Sequence, residues 1–302
     1  MSRNHHSISF LRKPEKAAYF FLFPAAIILA VFVFIPLVAA VVISFQNLTI
    51  YLGPSHFVGL KNYLNIPADP RFWNALRNTL LFLVLEMPLH VILGLVVAVA
   101  LSQTNLFTKF MRSVFFLPAV CSLTAISIVW SFLLDPNLGT IPYYFEKLGF
   151  PGLQFLHDSH MAMPIVAGIT IWKNFGMTMI IFIGGLQSIP RSYYEASEID
   201  GANRTDQFFH ITVPLLVPTI NFCVITNMIG SLQVFDQIYV LTSGGPLYST
   251  ETLVMYIYDT GFKSAPYDLS YASAIAVVLF LIIMIITLIS NRFFTSRETV
   301  DM

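Results

Sequence analysis

The stretch that decides the fold runs from Ile189 to Pro214 and reads IPRSYYEASEIDGANRTDQFFHITVP. Pro190 closes the apolar segment before it, and Ser192 followed three residues later by Glu195 has the spacing of a capping box at a helix N-terminus. Gly201 suits the position just past a helix C-terminus, where the backbone turns left-handed. The spacing therefore predicts a short helix that starts at Ser192 and stops near Gly201.

A second short helix is predicted from about Asn203 to His210, and it leads into another apolar segment at Pro214. We expect apolar side chains of this element to turn toward apolar neighbours, namely Tyr194, Ile199, Phe208 and Phe209. The carboxylates should point outward, and they are Glu195, Glu198, Asp200 and Asp206. A helix that lies on lipid headgroups usually presents Lys and Arg. An acidic helix therefore favours a protein partner with basic residues over an ordinary interfacial loop.

Composition identifies lipid as the solvent of the rest of the chain. Of 302 residues, 56% are hydrophobic and only 11% are charged, against about 25% charged residues in soluble domains. A soluble fold of this size would leave too much apolar surface in water. The net charge is zero and gives no argument for nucleic acid. Cys121 and Cys223 both lie in apolar runs, so we interpret them as core residues and expect neither a disulfide framework nor a metal site.

Six windows of about 20 mostly apolar residues, the length that spans a bilayer, flank the quoted stretch. They are residues 19–44, 76–101, 112–134, 161–186, 214–235 and 270–291. The sequence predicts an all-α polytopic membrane protein with about six transmembrane helices. One transmembrane domain covers residues 19–291, with tails at residues 1–18 and 292–302. The first apolar run is about twice as long as that of a signal peptide, so we interpret it as a retained helix.

The positions of Lys and Arg predict the orientation, because positive residues near span ends stay cytoplasmic. With the N-terminus inside, the inside segments hold Arg3, Arg12, Lys13, Lys16, Lys109, Arg112, Arg191, Arg204, Arg292 and Arg297. The outside then holds Lys61, Arg71, Arg77, Lys147 and Lys263. This bias predicts that both termini and the segment 187–213 between the fourth and fifth spans are cytoplasmic.

The quoted stretch resembles the EAA loop of ABC-importer permeases, whose pattern is Glu-Ala-Ala, three residues, Gly, nine residues, Ile, one residue, Leu-Pro. This chain has Ser197 for the second Ala and Val213 for Leu. In that family the loop docks into a cleft of the cytoplasmic ATPase subunit. The resemblance implies that Glu195 meets the ATPase and that Gly201 makes the turn. The predicted ATPase-coupling residues are Glu195, Ala196, Ser197, Asp200 and Gly201.

Two further stretches resemble the sugar-permease subfamily related to the maltose and glycerol-3-phosphate importers. Residues 57–63 (FVGLKNY), with Phe72-Trp73 and Asn78-Thr79, are similar to the first external loop of the larger permease type. Residues 235–246 (FDQIYVLTSGGP) and 249–252 (STET) are similar to the stretch after the fifth span. The resemblance implies the type I ABC-importer permease fold in a bacterial or archaeal cytoplasmic membrane. It also implies a second permease subunit, two ATPase subunits, an extracytoplasmic solute-binding protein and a carbohydrate solute.

Polar residues inside the fourth and fifth spans predict a solute pathway. Thr170, Asn174 and Thr178 recur every four residues and share one helix face, as do Asn227 and Ser231. By resemblance to the maltose permease, the predicted pathway residues are Thr170, Lys173, Asn174, Met177, Asn227, Gly230, Ser231, Gln233 and Val234. The alternative is that these groups only join helices by hydrogen bonds, which contribute about 0.6 kcal/mol each in membranes.

Three ionisable residues in the spans leave alternatives open. Lys173 could pair with an anionic solute, snorkel, or pair with a partner's carboxylate. Glu86 and His90 lie one turn apart and favour helix packing over a metal site, because two ligands on one helix do not make one. All three residues would be the relay of an ion-coupled secondary transporter, which is the main rival function.

The sequence has no phosphate-binding loop of the GxxxxGK[ST] kind, so ATP must be hydrolysed on another polypeptide. We therefore expect a permease that is not an enzyme, that binds no cofactor and no metal itself, and that works by alternating access. A membrane-embedded enzyme is the second rival, for which we find no nucleophile–base pair. His157 and His160 near Asp158 come nearest and favour an external loop.

Overall fold

The computed structural model describes residues 14–48 and 55–298, and these are mostly helical. Residues 1–13 of the predicted N-terminal tail and 299–302 of the C-terminal tail lie outside the described residues. The α-helices are α1 Pro14–Leu29, α2 Ile35–Ser44, α3 Lys61–Asn65, α4 Pro70–Ala100, α5 Leu106–Val120, α6 Leu123–Leu133, α7 Thr140–Lys147, α8 Ala162–Ser188, α9 Arg191–Ile199, α10 Arg204–Gln207, α11 Val213–Leu215, α12 Val217–Leu232, α13 Asp236–Leu241, α14 Leu253–Tyr258 and α15 Leu269–Glu298.

Shorter elements connect these helices. Strands β1 Gln46–Asn47 and β2 His56–Phe57 pair antiparallel. The 3-10 helices are Ile66–Ala68 and Phe155–His157, and the π-helices are Ala30–Phe34, Phe208–Thr212 and Asp259–Lys263. The first π-helix comes just before Pro36, which has no N–H to donate to the preceding turn, and such a gap is a common cause of irregular helix geometry.

The prediction of an all-α polytopic membrane protein is confirmed. Four helical segments are long and apolar enough to cross a membrane, namely Phe21–Ser44, Pro70–Ala100, Ala162–Ser188 and Leu269–Arg292. The third and fifth predicted windows instead overlap bent helix pairs, Leu106–Val120 with Leu123–Leu133 and Arg204–Leu215 with Val217–Leu232. The first helix of the second pair lies almost wholly before the fifth window. The described residues therefore hold up to six spans if each bent pair is one span.

Both bends occur where the chain leaves helical geometry near a proline. The first pair bends by 92° because Cys121 and Ser122 take extended ψ values of 150° and 128°, just after Pro118. The second pair bends by 66° at Leu216, two residues before Pro218. A proline cannot donate the helical hydrogen bond and its ring crowds the preceding turn, so the helix is weakest there.

The chain divides into two compact units, and the first comprises Met1–Asn65 and Thr260–Val277. Within it, Asn62 Nδ2 donates to the carbonyls of Ser44 and Gln46, each at 2.8 Å. Leu48 N–H donates to Ser270 Oγ at 2.7 Å. These bonds hold the end of α2, β1 and the start of α15 together. The extent of the predicted single domain over residues 19–291 stays a prediction.

The second unit comprises Ile66–Asp259 and Val278–Met302, and α8 is its central helix. This helix packs against α4, α5 and α12, and buries Met179 and Phe182 completely. A Cβ atom on Gly176 would overlap the carbonyl oxygen of Phe115. The close approach of α5 to α8 therefore requires glycine at position 176.

Candidate functional site

A polar cavity of about 280 Å³, here called the pathway cavity, lies between α4, α8, α12 and the start of α13. Seven predicted pathway residues line it, namely Thr170, Asn174, Asn227, Gly230, Ser231, Gln233 and Val234. Residues that the sequence did not assign to the pathway line it as well, among them Phe82, Glu86, Asp236 and Gln237. The cavity thus combines amides, hydroxyls, carboxyls and aromatic rings, which are the groups that bind solute hydroxyls.

The other two predicted pathway residues take different positions. Met177 lines a second cavity of about 360 Å³, which shares Asn174, Thr226 and Asn227 with the first. Lys173 lines neither cavity, because its Nζ donates to the carbonyl of Ala119 and to Asn174 Oδ1, both at 3.3 Å. The ammonium group is therefore held at the end of α5, behind Asn174. The role of each of these residues stays a prediction.

A buried polar network separates the two cavities. Ser231 donates to Glu86 Oε2 at 2.5 Å, and Glu86 Oε1 lies 2.6 Å from His90 Nδ1. His90 Nε2 in turn lies 2.9 Å from Thr178 Oγ1, and Asn227 Nδ2 donates to the same hydroxyl at 3.4 Å. Glu86 and His90 are 3% and 2% exposed. The network therefore ties α4 to α8 and α12 in the interior.

Glu86 and His90 line different cavities, the carboxyl group the pathway cavity and the imidazole ring the second one. The sequence placed this pair on one helix face, and a buried carboxylate within a span is itself an indication of function. The partners of Glu86 and His90 depend on how α4, α8 and α12 are aligned along one another. A local sequence pattern does not determine that alignment.

A clamp formed by Arg71, Glu251 and Asp259 holds the segment after α13 against the first turns of α4. Arg71 donates to both Glu251 oxygens, at 3.0 and 2.6 Å, and to Asp259 Oδ2 at 2.5 Å. Its guanidinium group also lies 4.7 Å from the centre of the Tyr248 ring and 4.8 Å from that of Tyr256. Such a bidentate, ring-stacked arrangement fixes both partners.

The clamp extends along α4 through neutral groups. Asn78 Nδ2 donates to the carbonyls of Tyr248 and Glu251 at 2.8 and 3.0 Å, and Leu253 N–H donates to Thr79 Oγ1 at 2.9 Å. Burial raises the pKa of Glu251, against the opposing effect of Arg71. These contacts give a structural reason for the Asn78-Thr79 and STET stretches that the sequence singled out.

The helix in the segment 187–213, here called the coupling loop, starts one residue earlier than predicted. Pro190 occupies the N-cap position of α9 with an extended backbone, and Ser192 makes no capping bond. The predicted capping box of Ser192 and Glu195 is therefore wrong. The box instead lies at the next helix, where Asn203 accepts from Asp206 N–H at 3.0 Å and Asp206 accepts from Asn203 N–H at 3.2 Å.

The predicted turn at Gly201 is confirmed. Its φ is +83°, its N–H donates to the Glu198 carbonyl at 3.1 Å, and Ala202 N–H donates to the Ser197 carbonyl at 2.9 Å. This pair of bonds is the Schellman motif, in which a left-handed residue ends the helix. The side chain of Ser197 also accepts from Gln207 Nε2 at 3.1 Å, which joins α9 to α10.

The outer face of α9 is exposed and carries the predicted coupling residues Glu195, Ala196 and Asp200. Ile199 is 88% exposed and Phe209 is 60% exposed, so the prediction that these two turn toward apolar neighbours is wrong. Tyr194 and Phe208 are partly buried, and Tyr194 Oη lies 2.9 Å from Thr212 Oγ1. Helix α9 thus rests on α10 and on the π-helix Phe208–Thr212 through polar contacts, and it presents acidic and apolar groups outward.

Comparison with known proteins gives a family and a fold. Residues 66–300 match the family described as the binding-protein-dependent transport system inner membrane component. The lactose transport system permease protein LacF of Rhizobium radiobacter is 34% identical over 93% of this chain and 94% of that protein. The sulfoquinovosyl glycerol transport system permease protein SmoG of Agrobacterium fabrum is 33% identical over 93% of this chain and 91% of that protein.

A solved structure shares the fold. A chain of the bacterial alginate ABC transporter, in complex with an alginate pentasaccharide-bound periplasmic protein, superposes with a TM-score of 0.82. The likeness covers 98% of this chain and 99% of that chain, at 22% sequence identity.

Proposed function

The chain belongs to the family of inner membrane components of binding-protein-dependent transport systems, and on this premise we propose that it is one permease subunit of an ATP-driven carbohydrate importer. The relatives named above are transport permeases, and the chain is a protein of the cell membrane. The proposed solute is an oligosaccharide or a related sugar, because the named relatives carry lactose and a sulfoquinovosyl glycerol.

The observation that carries this proposal is the pathway cavity. A membrane bundle keeps polar groups inside only where they pair with each other or meet a polar solute or water. In this chain Glu86, Asn174 and Gln233 face a space of about 280 Å³ between apolar helices. A space of that size and polarity suits part of a sugar chain, which exchanges each hydroxyl's water for a protein partner.

The coupling loop supplies the proposed link to ATP. Two ATPase subunits on the cytoplasmic side would bind and hydrolyse ATP with its Mg²⁺, and this chain would bind no cofactor. The exposed acidic face of α9 supports docking of a basic partner, since charge complementarity steers such contacts. Movement of the docked α9 would then reorient the spans around the pathway cavity in alternating access.

The remaining partners follow from the same proposal. A second permease subunit would complete the pathway, and an extracytoplasmic solute-binding protein would deliver sugar at the outer face. Both termini would be cytoplasmic, as the Lys and Arg bias indicates. The family match favours this ATP-driven importer over the ion-coupled carrier considered from sequence.

The proposal is tested by reconstituting the complete importer in proteoliposomes and measuring sugar uptake with and without ATP. The variants Glu195→Lys and Gly201→Asp change the docking charge and the left-handed turn. Each should leave the protein inserted and the ATPase active, while ATP-dependent uptake falls to background. Uptake that continued without ATP and without ATPase subunits would establish the ion-coupled carrier instead.

Matched controls separate coupling from backbone strain. Gly152 also has a positive φ, +78°, and a Cβ atom there would meet nothing within 4 Å. Gly152→Asp therefore carries the same cost of about 1–2 kcal/mol for a left-handed residue, but it lies outside the coupling loop. The Gly152→Asp variant should keep full ATP-dependent uptake. If its uptake fell as far as that of Gly201→Asp, the coupling role of Gly201 would be wrong.

A further inference from the structure

The charge of the pathway cavity bears on which solutes it admits. Its lining carries two carboxyl side chains, Glu86 and Asp236, and among the described residues it includes no Lys, Arg or His. Four of the other lining side chains are carboxamides, namely Asn174, Asn227, Gln233 and Gln237. The cavity therefore offers hydrogen-bond acceptors and neutral donors, and no cation.

Basic side chains of the neighbouring helices have other partners. The ammonium group of Lys173 donates to the Ala119 carbonyl and to Asn174 Oδ1 and does not line the cavity. The guanidinium group of Arg71 is held by Glu251 and Asp259 in the clamp. His90 lines the second cavity, and one of its ring nitrogens faces Glu86 at 2.6 Å. Each group would have to break an existing contact before it could pair with an anionic solute.

An anionic solute would lose its hydration on entering this cavity and would find carboxyl groups where it needs a cation. A hydroxyl group, in contrast, donates well to a carboxylate and exchanges with amide partners. We infer that the pathway cavity admits uncharged polyhydroxylated solutes and excludes phosphorylated, sulfonated and uronic ones, and that Glu86 and Asp236 set this specificity. The inference rests on the proposed function and narrows its substrate class.

The test measures the charge preference of the cavity without knowledge of the solute. In the full importer, Cys121→Ser and Cys223→Ala remove both cysteines of this chain, and Gly230→Cys then places one thiol in the cavity. A Cβ atom at position 230 meets nothing within 4 Å. Two thiosulfonate reagents, one with a trimethylammonium group and one with a sulfonate group, are applied separately. Intact mass spectrometry of this chain follows each modification rate.

The matched control is Leu148→Cys, a residue that is 73% exposed just after α7 and follows Glu146 and Lys147, whose opposite charges cancel. We expect the cationic-to-anionic rate ratio at position 230 to exceed that at position 148 by at least about tenfold, the effect of carboxylate charge a few ångströms away. Asp236→Asn and Glu86→Gln should each lower the ratio at position 230. Equal ratios at the two positions would overturn the inference, and so would a thiol at position 230 that neither reagent reaches.

Uptake separates the inference from the proposed function. The reconstituted importer is offered lactose, maltotriose, digalacturonate and glycerol 3-phosphate, each with ATP. Uptake restricted to the uncharged sugars supports both conclusions. Uptake of either anion at the rate of the sugars overturns the inference and leaves ATP-driven import standing. Loss of all ATP-driven uptake, with the labelling ratio still high, overturns the proposed function alone.

Discussion

The polar network and the coupling loop are both rich in polar residues, but the polar side chains are buried in the network and exposed in the loop. In the network, Glu86 and His90 are almost fully buried and each contacts side chains of other helices. In the coupling loop, the ion pair of Arg191 and Glu195 at 3.2 Å lies in solvent, with 89% and 62% of the two side chains exposed. A surface pair of this kind contributes little stability.

Substitutions in the two regions should therefore have different effects. Substitutions in the interior should change stability and transport together, because the same side chains hold helices and line the cavity. Substitutions on the outer face of α9 should change transport alone, because that face is free for a partner. Substitutions in the two regions test this division.

The largest loss is expected for Arg71→Ala. It leaves Glu251, whose side chain is 2% exposed, buried without its cation, and breaking such a pair costs about 3–5 kcal/mol when fully buried. Because the Arg71 side chain is 31% exposed, we expect a smaller cost of about 2–3 kcal/mol. Thermal unfolding in detergent measures it, with the exposed Arg77→Ala as the control that should change little.

The same pair gives a pH dependence. Burial raises the pKa of Glu251, so the folded state takes up this proton more readily than the unfolded state, and stability from this group is lost as pH rises through the raised pKa. Removal of Arg71 should raise that pKa further. The Arg71→Ala variant should therefore regain stability relative to the parent as pH falls toward the ordinary carboxyl range. A constant difference in melting temperature between the two proteins across that range would contradict this.

Gly176→Ala should cost about 1–3 kcal/mol, the usual range for overpacking, because the added methyl group meets the Phe115 carbonyl. Gly168 lies on the same helix with nothing within 4 Å of its Cβ position. Gly168→Ala should therefore be neutral or stabilising, since alanine is the better helix former. Equal melting temperatures of the two variants would show that α5 and α8 do not approach as described.

Thr178→Val removes the hydroxyl that contacts His90 and Asn227. We expect a loss of about 0.6–2 kcal/mol, the range for hydrogen bonds between membrane helices, together with slower uptake. Thr170→Val is the control, because the Thr170 hydroxyl donates to the Val166 carbonyl of its own helix at 2.8 Å. If both variants melt alike, the network joins the helices less strongly than its geometry indicates.

The smallest effect on stability is expected for Ile199→Asp. This side chain is 88% exposed, and surface substitutions usually change stability by less than about 0.5 kcal/mol. ATP-dependent uptake should nevertheless fall strongly, because a charge replaces an apolar side chain on the proposed docking face of α9. Leu138→Asp, at an 86% exposed position outside the coupling loop, should leave uptake unchanged. A parallel drop in melting temperature would assign Ile199 to the fold instead.

Sequence reasoning predicted what is encoded locally. The apolar windows predicted helical spans, and Gly201 predicted a left-handed turn, because each depends on residues within one segment. Ser192 was misread because its spacing to Glu195 is the same when Ser192 is the second residue of a helix that Pro190 caps. The bends at residues 121–122 and at Leu216 were missed because hydropathy measures length and polarity but not direction.

The pathway cavity was predicted in part. Helical spacing placed Thr170, Asn174, Asn227 and Ser231 on common faces, and all four line the cavity. Glu86 lines the cavity because of how α4 is aligned along α8, and Asp236 because of the turn between α12 and α13. Only tertiary packing determines these two features. The clamp of Arg71 with Glu251 spans 180 residues of sequence, and no local pattern connects them.

The 66° bend between the pair α10–α11 and α12 divides this part of the chain into two helical arms. One arm, the twelve residues of Arg204–Leu215, is about 18 Å long at 1.5 Å per residue. The other arm, the eleven residues from Val217 to Asn227 at the cavity, is about 17 Å long on the same scale. If α9 docks as proposed, a displacement passed to α10 through the contact of Ser197 with Gln207 would reach the cavity with almost its full amplitude, turned into a new direction at Leu216.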